Sequence, residues 1–344
     1  MKILSRAIAL AFAFGLSALP AAAQDADAYL DGFYQQAVDA GESEVIIYNP
    51  TTRGLEPVIE AFEARFPEIR IKGVDLFGSK LLARVDSEYA AGGPLGDVVA
   101  STPADTPEVG KAGRLISFRP ETAAALPEIY VGNEDQWLDW GMTIGGMFYN
   151  TSNVTAEDAP KSYADILDPK WKGRISMTSF RIISGTGQAF AAAIRDGVVD
   201  RAWFEGLAAQ EPFVTERASA ATLAVVNGQS DIGLDIPFHY YVEAKAKGAP
   251  IEMVFPAEGG ISIPRNVGIF EGAKNINAAK LFVAWMFTPE AQAAIAQSGL
   301  QGTMPGAPGV DGTPEGLTLH AIDWKTLQEN YGGYLTMFQE VFSQ

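Results

Sequence analysis

Four polar stretches and one aromatic cluster carry most of the chemistry this sequence offers. Thr51, Thr52 and Arg53 follow the apolar run 44–48; Ser79 precedes a helical pattern; Ser101 and Thr102 follow the run 97–100; Ser184, Gly185 and Thr186 precede a further helical run. Hydroxyls and free backbone N–H groups at strand ends suit an anionic or oxygen-rich ligand, because helix N-termini carry partial positive charge. Taken singly, each Ser or Thr fits a capping role better than a binding one. Their recurrence at equivalent points of the chain is what favours binding. Arg53 offers a rigid fork of donors matched to carboxylate or phosphate oxygens, its other reading being a solvated surface arginine. His239, Tyr240 and Tyr241 open a helical pattern directly after the run 232–236. Adjacent tyrosines at such a junction cannot both enter one core, so at least one should face a cleft. Phenolates ligate hard trivalent cations such as ferric iron, and neutral phenols donate hydrogen bonds to anions. A pair of core or rim aromatics is the remaining possibility.

Signatures of catalysis are sparse. The sequence has no G-x-S-x-G elbow, no phosphate-binding P-loop and no H-E-x-x-H. Its only histidines are His239 and His320, which leaves few centres for a nucleophile–base pair. The absence of cysteine removes disulfides, thiolate metal sites and thiol nucleophiles. Gly185-x-Gly187 resembles the start of a dinucleotide fingerprint, but Phe190 stands where the third glycine belongs, so no cofactor is expected. An exported serine hydrolase is the competing class. It would need a base beside Ser101 or Ser184, and neither histidine is well placed.

The elements that must position these residues alternate. Strand-like runs at 44–48, 69–74, 97–100, 144–149, 174–177, 232–236 and 252–255 are separated by helical patterns at 55–66, 80–91, 187–195, 219–227 and 239–247. An extended segment at 259–265 and a helix pair at 276–287 and 290–297 follow, with Thr288-Pro289-Glu290 as a helix-start signal. The rhythm is that of α/β sheets with right-handed crossovers. No internal repeat or long linker interrupts it, so two lobes should be joined by crossing strands and not by a tether.

The N-terminus reads as an export signal. Residues 1–23 hold Lys2 and Arg6, then a largely apolar stretch, then Pro20-Ala21-Ala22-Ala23 before Gln24. The stretch is too short for a comfortable membrane span. Roughly 320 mature residues exceed what one core usually organises. The chain carries a net charge of −17 and is 47% hydrophobic. Loss of Lys2 and Arg6 takes the charge to about −19, which disfavours nucleic acid and anionic lipid as partners.

Several stretches resemble bacterial periplasmic solute-binding proteins of the ferric-iron-binding class. They are VIIYNPTTRGLEPVIEAFEARFPEI, GSKLLARV and GPLGDVV in the first half, then FYNTSNV with APKSYADILDPKWKGRI, GQSDIGLDIPFHYYVEAKAKGAPIEMVFPAEG and AAKLFVAWMFTPEAQ. The resemblance spans nearly the whole mature chain. It implies an α/β, two-lobed (type II-like) fold with mixed sheets, helices on both faces and a hinge of crossing strands. The first lobe would comprise 24–143 plus 261–305 and the second 144–260, with C-terminal helices in 306–344 packing back. It also implies a periplasmic protein that presents its solute to an ABC-transporter permease, for which a monomer is the default expectation, with hinge segments expected at 141–146 and 255–265.

Iron-binding members of the class use a tyrosine pair matching Tyr240 and Tyr241, and in some a tyrosine matching Tyr149. They also carry a histidine or tyrosine after the first strand and often an acidic ligand after the third. This chain has Thr51, Thr52 and Arg53 in the first loop and Ser101 and Thr102 in the second. The leading expectation is therefore a small oxyanion-bearing solute, an organic phosphate or phosphonate. Arg53 would pair with it, Ser79, Ser101, Thr102 and 184–186 would donate to it, and Tyr149, His239, Tyr240 and Tyr241 would line the opposite lobe. Ferric iron with a synergistic anion on Tyr149, Tyr240 and Tyr241 is the alternative. A cationic solute boxed by Trp137, Trp140 and Tyr149 is a further one.

Overall fold

The computed structural model describes residues 21–49, 54–181 and 185–343. Residues 1–20 of the expected leader lie outside these, and 21–23 belong to the first helix, α1 (Ala21–Asp39). The first lobe continues with β1 (Glu44–Asn49), α2 (Glu56–Arg65), β2 (Arg70–Asp75), α3 (Gly78–Ala90), β3 (Val98–Val99) and α4 (Thr106–Lys111). β1 pairs in parallel with β2 and β3. Helix α2 follows from its sequence: Val58 and Phe62, four apart, are buried on one face. Glu56 in its first turn and Arg65 in its last complement the helix dipole. Arg65 also bonds Asp27 of α1 and Glu290 of a later helix, fastening three elements at one point.

A long strand, β4 (Leu138–Asn150), leaves this lobe with all thirteen residues buried. It starts six residues earlier than the apolar run at 144–149 suggests. Gly141, Gly145 and Gly146 dilute its pattern, while Trp140 and Met142 still pack inward. The second lobe holds β5 (Ile175–Thr178), α5 (Gly185–Arg195), α6 (Arg201–Ala209), β6 (Phe213–Thr215), α7 (Ala218–Val226), β7 (Ile232–Pro237), α8 (Phe238–Ala246) and β8 (Ile251–Val254). The chain returns along β9 (Gly260–Ile269), antiparallel to β4 from Leu138↔Val267 to Gly145↔Ile261. Helices α9 (Ile276–Trp285) and α10 (Pro289–Gln297) rejoin the first lobe, where the Thr288 hydroxyl caps α10 by accepting from Ala291 N–H. β10 (Gln301–Gly302) edges β4, β11 (Leu319–Ala321) edges β9, and α11 (Trp324–Val341) packs on α5 and α6.

The main sheet order is β2-β1-β3-β9-β4-β7-β5-β6, so β9 and β4 are the two strands shared between the lobes. Each lobe has its own core. In the first, Phe62 meets Phe282 and Trp285 edge-on at 5.2 and 5.4 Å. In the second, Phe180, Phe190, Trp203 and Phe204 interlock, and Phe338 of α11 closes the cluster. Aromatic pairs of this kind add about 0.5–1.5 kcal/mol each beyond their buried area. Residues 306–343 contribute a turn-rich stretch, strand β11 and one long helix, where the sequence reading expects several helices.

Candidate functional site

Between the two cores lies a cleft of about 930 Å³. Gly54, Glu56, Thr102 and Ala104 border it from the first lobe, Thr143 and Arg265 from the crossing strands, and Gly185, Gln188, Ala218, Pro237, His239, Tyr240, Glu243 and Lys247 from the second. A smaller cavity of about 260 Å³ continues from it, sharing Thr143, Gly185, Ala218, Pro237 and Ile263 with the cleft. Thr178, Thr186, Glu216 and Asp235 line its inner part.

Three helices begin at this wall. The first residues of α5 and α7, Gly185 and Ala218, line the cleft, as does Pro237 immediately before α8. Neither α7 nor α8 has a side chain capping its first N–H groups. Their unpaired amides and dipole ends therefore favour negative charge in the cleft.

Arg265 supplies the cationic side chain that the sequence reading missed. It sits on β9, half-buried, and its Nε–H donates to Thr143 Oγ1 at 3.1 Å. Among the described residues no carboxylate pairs with it. Burial pulls its guanidinium below the usual value, with Tyr240 opposing that, yet arginine stays charged. The run 259–265 held only a hint, an arginine closing a largely apolar extended stretch, and nothing in it showed what that arginine would face. Lys247, by contrast, is engaged with Glu243 at 2.6 Å.

His239 and Tyr240 face the cleft together, rings 4.3 Å apart. Although His239 keeps an exposed edge, desolvation at the cleft wall, and then the charge of Arg265, lower its imidazole to about 4, so it is neutral at physiological pH. Tyr241 and Tyr149 turn elsewhere. The Tyr241 hydroxyl donates to Glu252 Oε2 at 2.9 Å, and Glu252 is held in turn by Lys245. Tyr149 lies on β4 directly opposite Glu252 of β8 and is buried in the second core. Burial raises both phenols, Tyr241 to about 12, so neither is a ready phenolate. Successive residues on a helix project about 100° apart, which separates Tyr240 from Tyr241.

The other expected residues divide. Thr51, Thr52, Arg53 and Ser184 lie outside the described residues. Thr102, Gly185 and Thr186 border the cleft or its side cavity. Ser79 does not cap α3: Phe77 holds the cap position and Ser79 is exposed within the helix, away from the cleft lining. Ser101 is fully buried and donates to Asp105 Oδ2 at 2.7 Å, while the same carboxylate oxygen accepts Gly78 N–H at 3.1 Å. Its work is to tie the third-strand loop to the start of α3. Trp137 and Trp140 are core residues, Trp137 packed edge-on against Trp324 at 5.7 Å, so they form no solute box.

Asp235, unremarked in the sequence, closes the inner end of the side cavity. It is buried at the end of β7 with φ of 52°, a left-handed conformation uncommon for a residue with a side chain. Desolvation raises its carboxyl to about 8, partly offset by a hydrogen bond from Thr186. The approach is possible because position 145 is glycine; a Cβ there would collide with Asp235 Oδ1.

Among the described residues no helix is long and apolar enough to cross a membrane. The iron-bound HitA of Pseudomonas aeruginosa has the same fold, with 22% identity, a TM-score of 0.68, and coverage of 87% of this chain and 99% of that one. AfuA of Actinobacillus pleuropneumoniae, solved with exogenous fructose-6-phosphate, matches with 21% identity and a TM-score of 0.68 over 87% and 98% of the two chains. An uncharacterised protein of Haemophilus influenzae is 31% identical over 157 residues, which is 44% of this chain; the chain thus spans about half of that relative, 45% of its length. Two lobes around a lined cleft, shared crossing strands and a match of residues 58–319 to a single family model agree: the chain belongs to the bacterial extracellular solute-binding proteins.

Proposed function

We propose that this chain is the periplasmic solute-capturing component of an ABC-type importer. It closes its lobes on a small oxyanion-bearing solute, an organic phosphate or phosphonate, and passes it unchanged to a membrane permease. The observation that carries the reading is Arg265, a guanidinium in the cleft with no carboxylate partner among the described residues and with helix N-termini facing it. A charge-assisted pair with an oxyanion, made in a partly dry cleft, is the strong kind of hydrogen bond. Neutral His239 and the Thr143 hydroxyl can add contacts without adding charge. Arg53, whose position lies outside the described residues, is proposed as a second cation from the first lobe. AfuA, with its sugar phosphate, is a relative by fold whose ligand has this chemistry.

Ferric iron is the second reading, since HitA is iron-bound and Tyr240 faces the cleft. The divergence of Tyr241 and Tyr149 toward Glu252 weighs against it, because one tyrosine leaves a trivalent ion under-coordinated. A thermal-shift series with glycerol 3-phosphate, methylphosphonate, inorganic phosphate and ferric citrate separates the two. Stabilisation by a phosphate ester or phosphonate, lost in Arg265→Ala, is expected. A visible tyrosinate–iron colour abolished by Tyr240→Phe would replace this reading with the iron one.

A further inference from the structure

The side cavity has the opposite electrostatic character to the cleft. Among the described residues its titratable lining groups are two carboxyls, Asp235 and Glu216, and no cationic side chain lines it. The Thr186 hydroxyl lies beside Asp235 and eases its ionisation. The Thr178 hydroxyl, also buried and also lining the cavity, has no partner there. Nor has the buried Tyr163 hydroxyl, which lies close enough to Asp235 to feel its charge. A buried carboxyl, a left-handed backbone beneath it, a glycine that makes room for it and unpaired hydroxyls beside it converge on one small space. Apolar walls at Ala218, Ile261 and Ile263 leave these groups as the polar attraction.

We propose that this side cavity is a second subsite that takes a protonated amine, so that the solute is dipolar, its oxyanion at Arg265 and its ammonium at Asp235. The oxyanion end rests on the reading above; the amine end rests on the cavity alone. An ammonium has three donors, and the Asp235 carboxylate, Thr178 Oγ1 and Glu216 are acceptors arranged around the one space. Thr186 from α5, Tyr163 from the 151–174 segment, Glu216 ahead of α7 and Gly145 of β4 surround Asp235, and none of them is a cation. An empty site keeps the carboxyl protonated up to about 8. An ammonium beside it favours the carboxylate, so binding at pH 7 transfers the Asp235 proton to solvent.

Titration calorimetry with phosphorylethanolamine and glycerol 3-phosphate tests this, since both carry a phosphate ester and only the first carries an ammonium. Phosphorylethanolamine should bind at least about tenfold tighter at pH 7. It should release about one proton per solute, read from buffers of different ionisation heat, and tighten between pH 7 and 8. Both the preference and the release should vanish in Asp235→Asn, a substitution that tolerates the positive φ as well as aspartate does. Equal affinity for the two solutes, a preference for glycerol 3-phosphate, or binding without proton release overturns the proposal. Ethanolamine alone probes the side cavity without any oxyanion and should stabilise the wild type but not Asp235→Asn. If it and phosphorylethanolamine both leave the melting temperature unchanged, the amine subsite is wrong. Binding of glycerol 3-phosphate that disappears in Arg265→Ala would show the oxyanion reading intact whichever way the amine arm falls.

Discussion

Asp235 and His239 stand at opposite ends of β7's exit into α8 and couple stability to pH in opposite senses. The Asp235 carboxyl is raised from 3.8 to about 8, so between those values the native state holds a proton that the unfolded chain has lost. Stability contributed by the neutral acid is complete below pH 3.8 and falls away as pH rises toward 8. Replacing it with asparagine removes that liability. Asp235→Asn is expected to stabilise the fold, by an amount that grows from pH 5 to pH 8 and reaches the order of a few kcal/mol. Denaturant midpoints across that range check it, and a midpoint that drops at pH 8 refutes it. His239 goes the other way. Its pKa is lowered from 6.5 to about 4, so its contribution is full above 6.5 and lost as pH falls through 4. His239→Gln should flatten the part of the acid limb between pH 6.5 and 4, seen as a smaller wild-type-minus-variant difference at pH 4.5 than at pH 7. An unchanged difference would mean the imidazole titrates normally.

Among the elements, β4 is the one whose perturbation should cost most. Gly145 faces Asp235 on one side and the Ile261 carbonyl of β9 at 3.2 Å from any added Cβ. Gly145→Ala therefore overpacks the crossing strands, and a loss of about 1–3 kcal/mol is expected in urea titrations. The same change at Gly141, where the nearest atom is a flexible Ile295 methyl at 3.4 Å, should cost much less. Equal losses at the two positions would show that strand propensity, and not the clash, decides. The sequence made β1, α2, α7, α8, α9 and α10 legible because each has one clear period and a stop signal: Pro67 after α2, Gly228 after α7, Gly248 after α8. It concealed the first half of β4, where glycines needed for close approach broke the apolar run. It misplaced Ser79 because a serine after Gly78 looks like a cap, although the backbone turns two residues earlier, at Phe77. Of the cleft lining, Thr102, Thr186, His239 and Tyr240 were legible from their position at strand ends. Arg265 and Asp235 were not, since each lies inside a strand, where a charged side chain betrays its purpose only once the facing lobe is known.

At the scale of the molecule, the arrangement of strands dictates how the two lobes can move. Only β4 and β9 run through both, and their ladder is irregular between Asp139 and Gly141. A second irregularity separates Gly146 from Phe148 where β4 meets β7. Bulges bend and twist a strand locally, so these two points bracket a stretch where rotation costs few hydrogen bonds. On the function proposed above, rotation there would bring Gly54, Glu56 and Thr102 toward Arg265 and His239 and close the cleft. A solute that touches both walls binds the closed form preferentially and shifts the population toward it. The expected consequence is paired. At a solute concentration near 100 times Kd the protein gains about 2.7 kcal/mol of stability. Its radius of gyration should also fall toward the roughly 20 Å that a compact chain of this length would have. Small-angle scattering and thermal unfolding on the same samples measure both, with Arg265→Ala as the control in which neither should change. Stabilisation without contraction would mean that the solute binds one lobe alone, and the crossing strands would then be a rigid brace and no hinge.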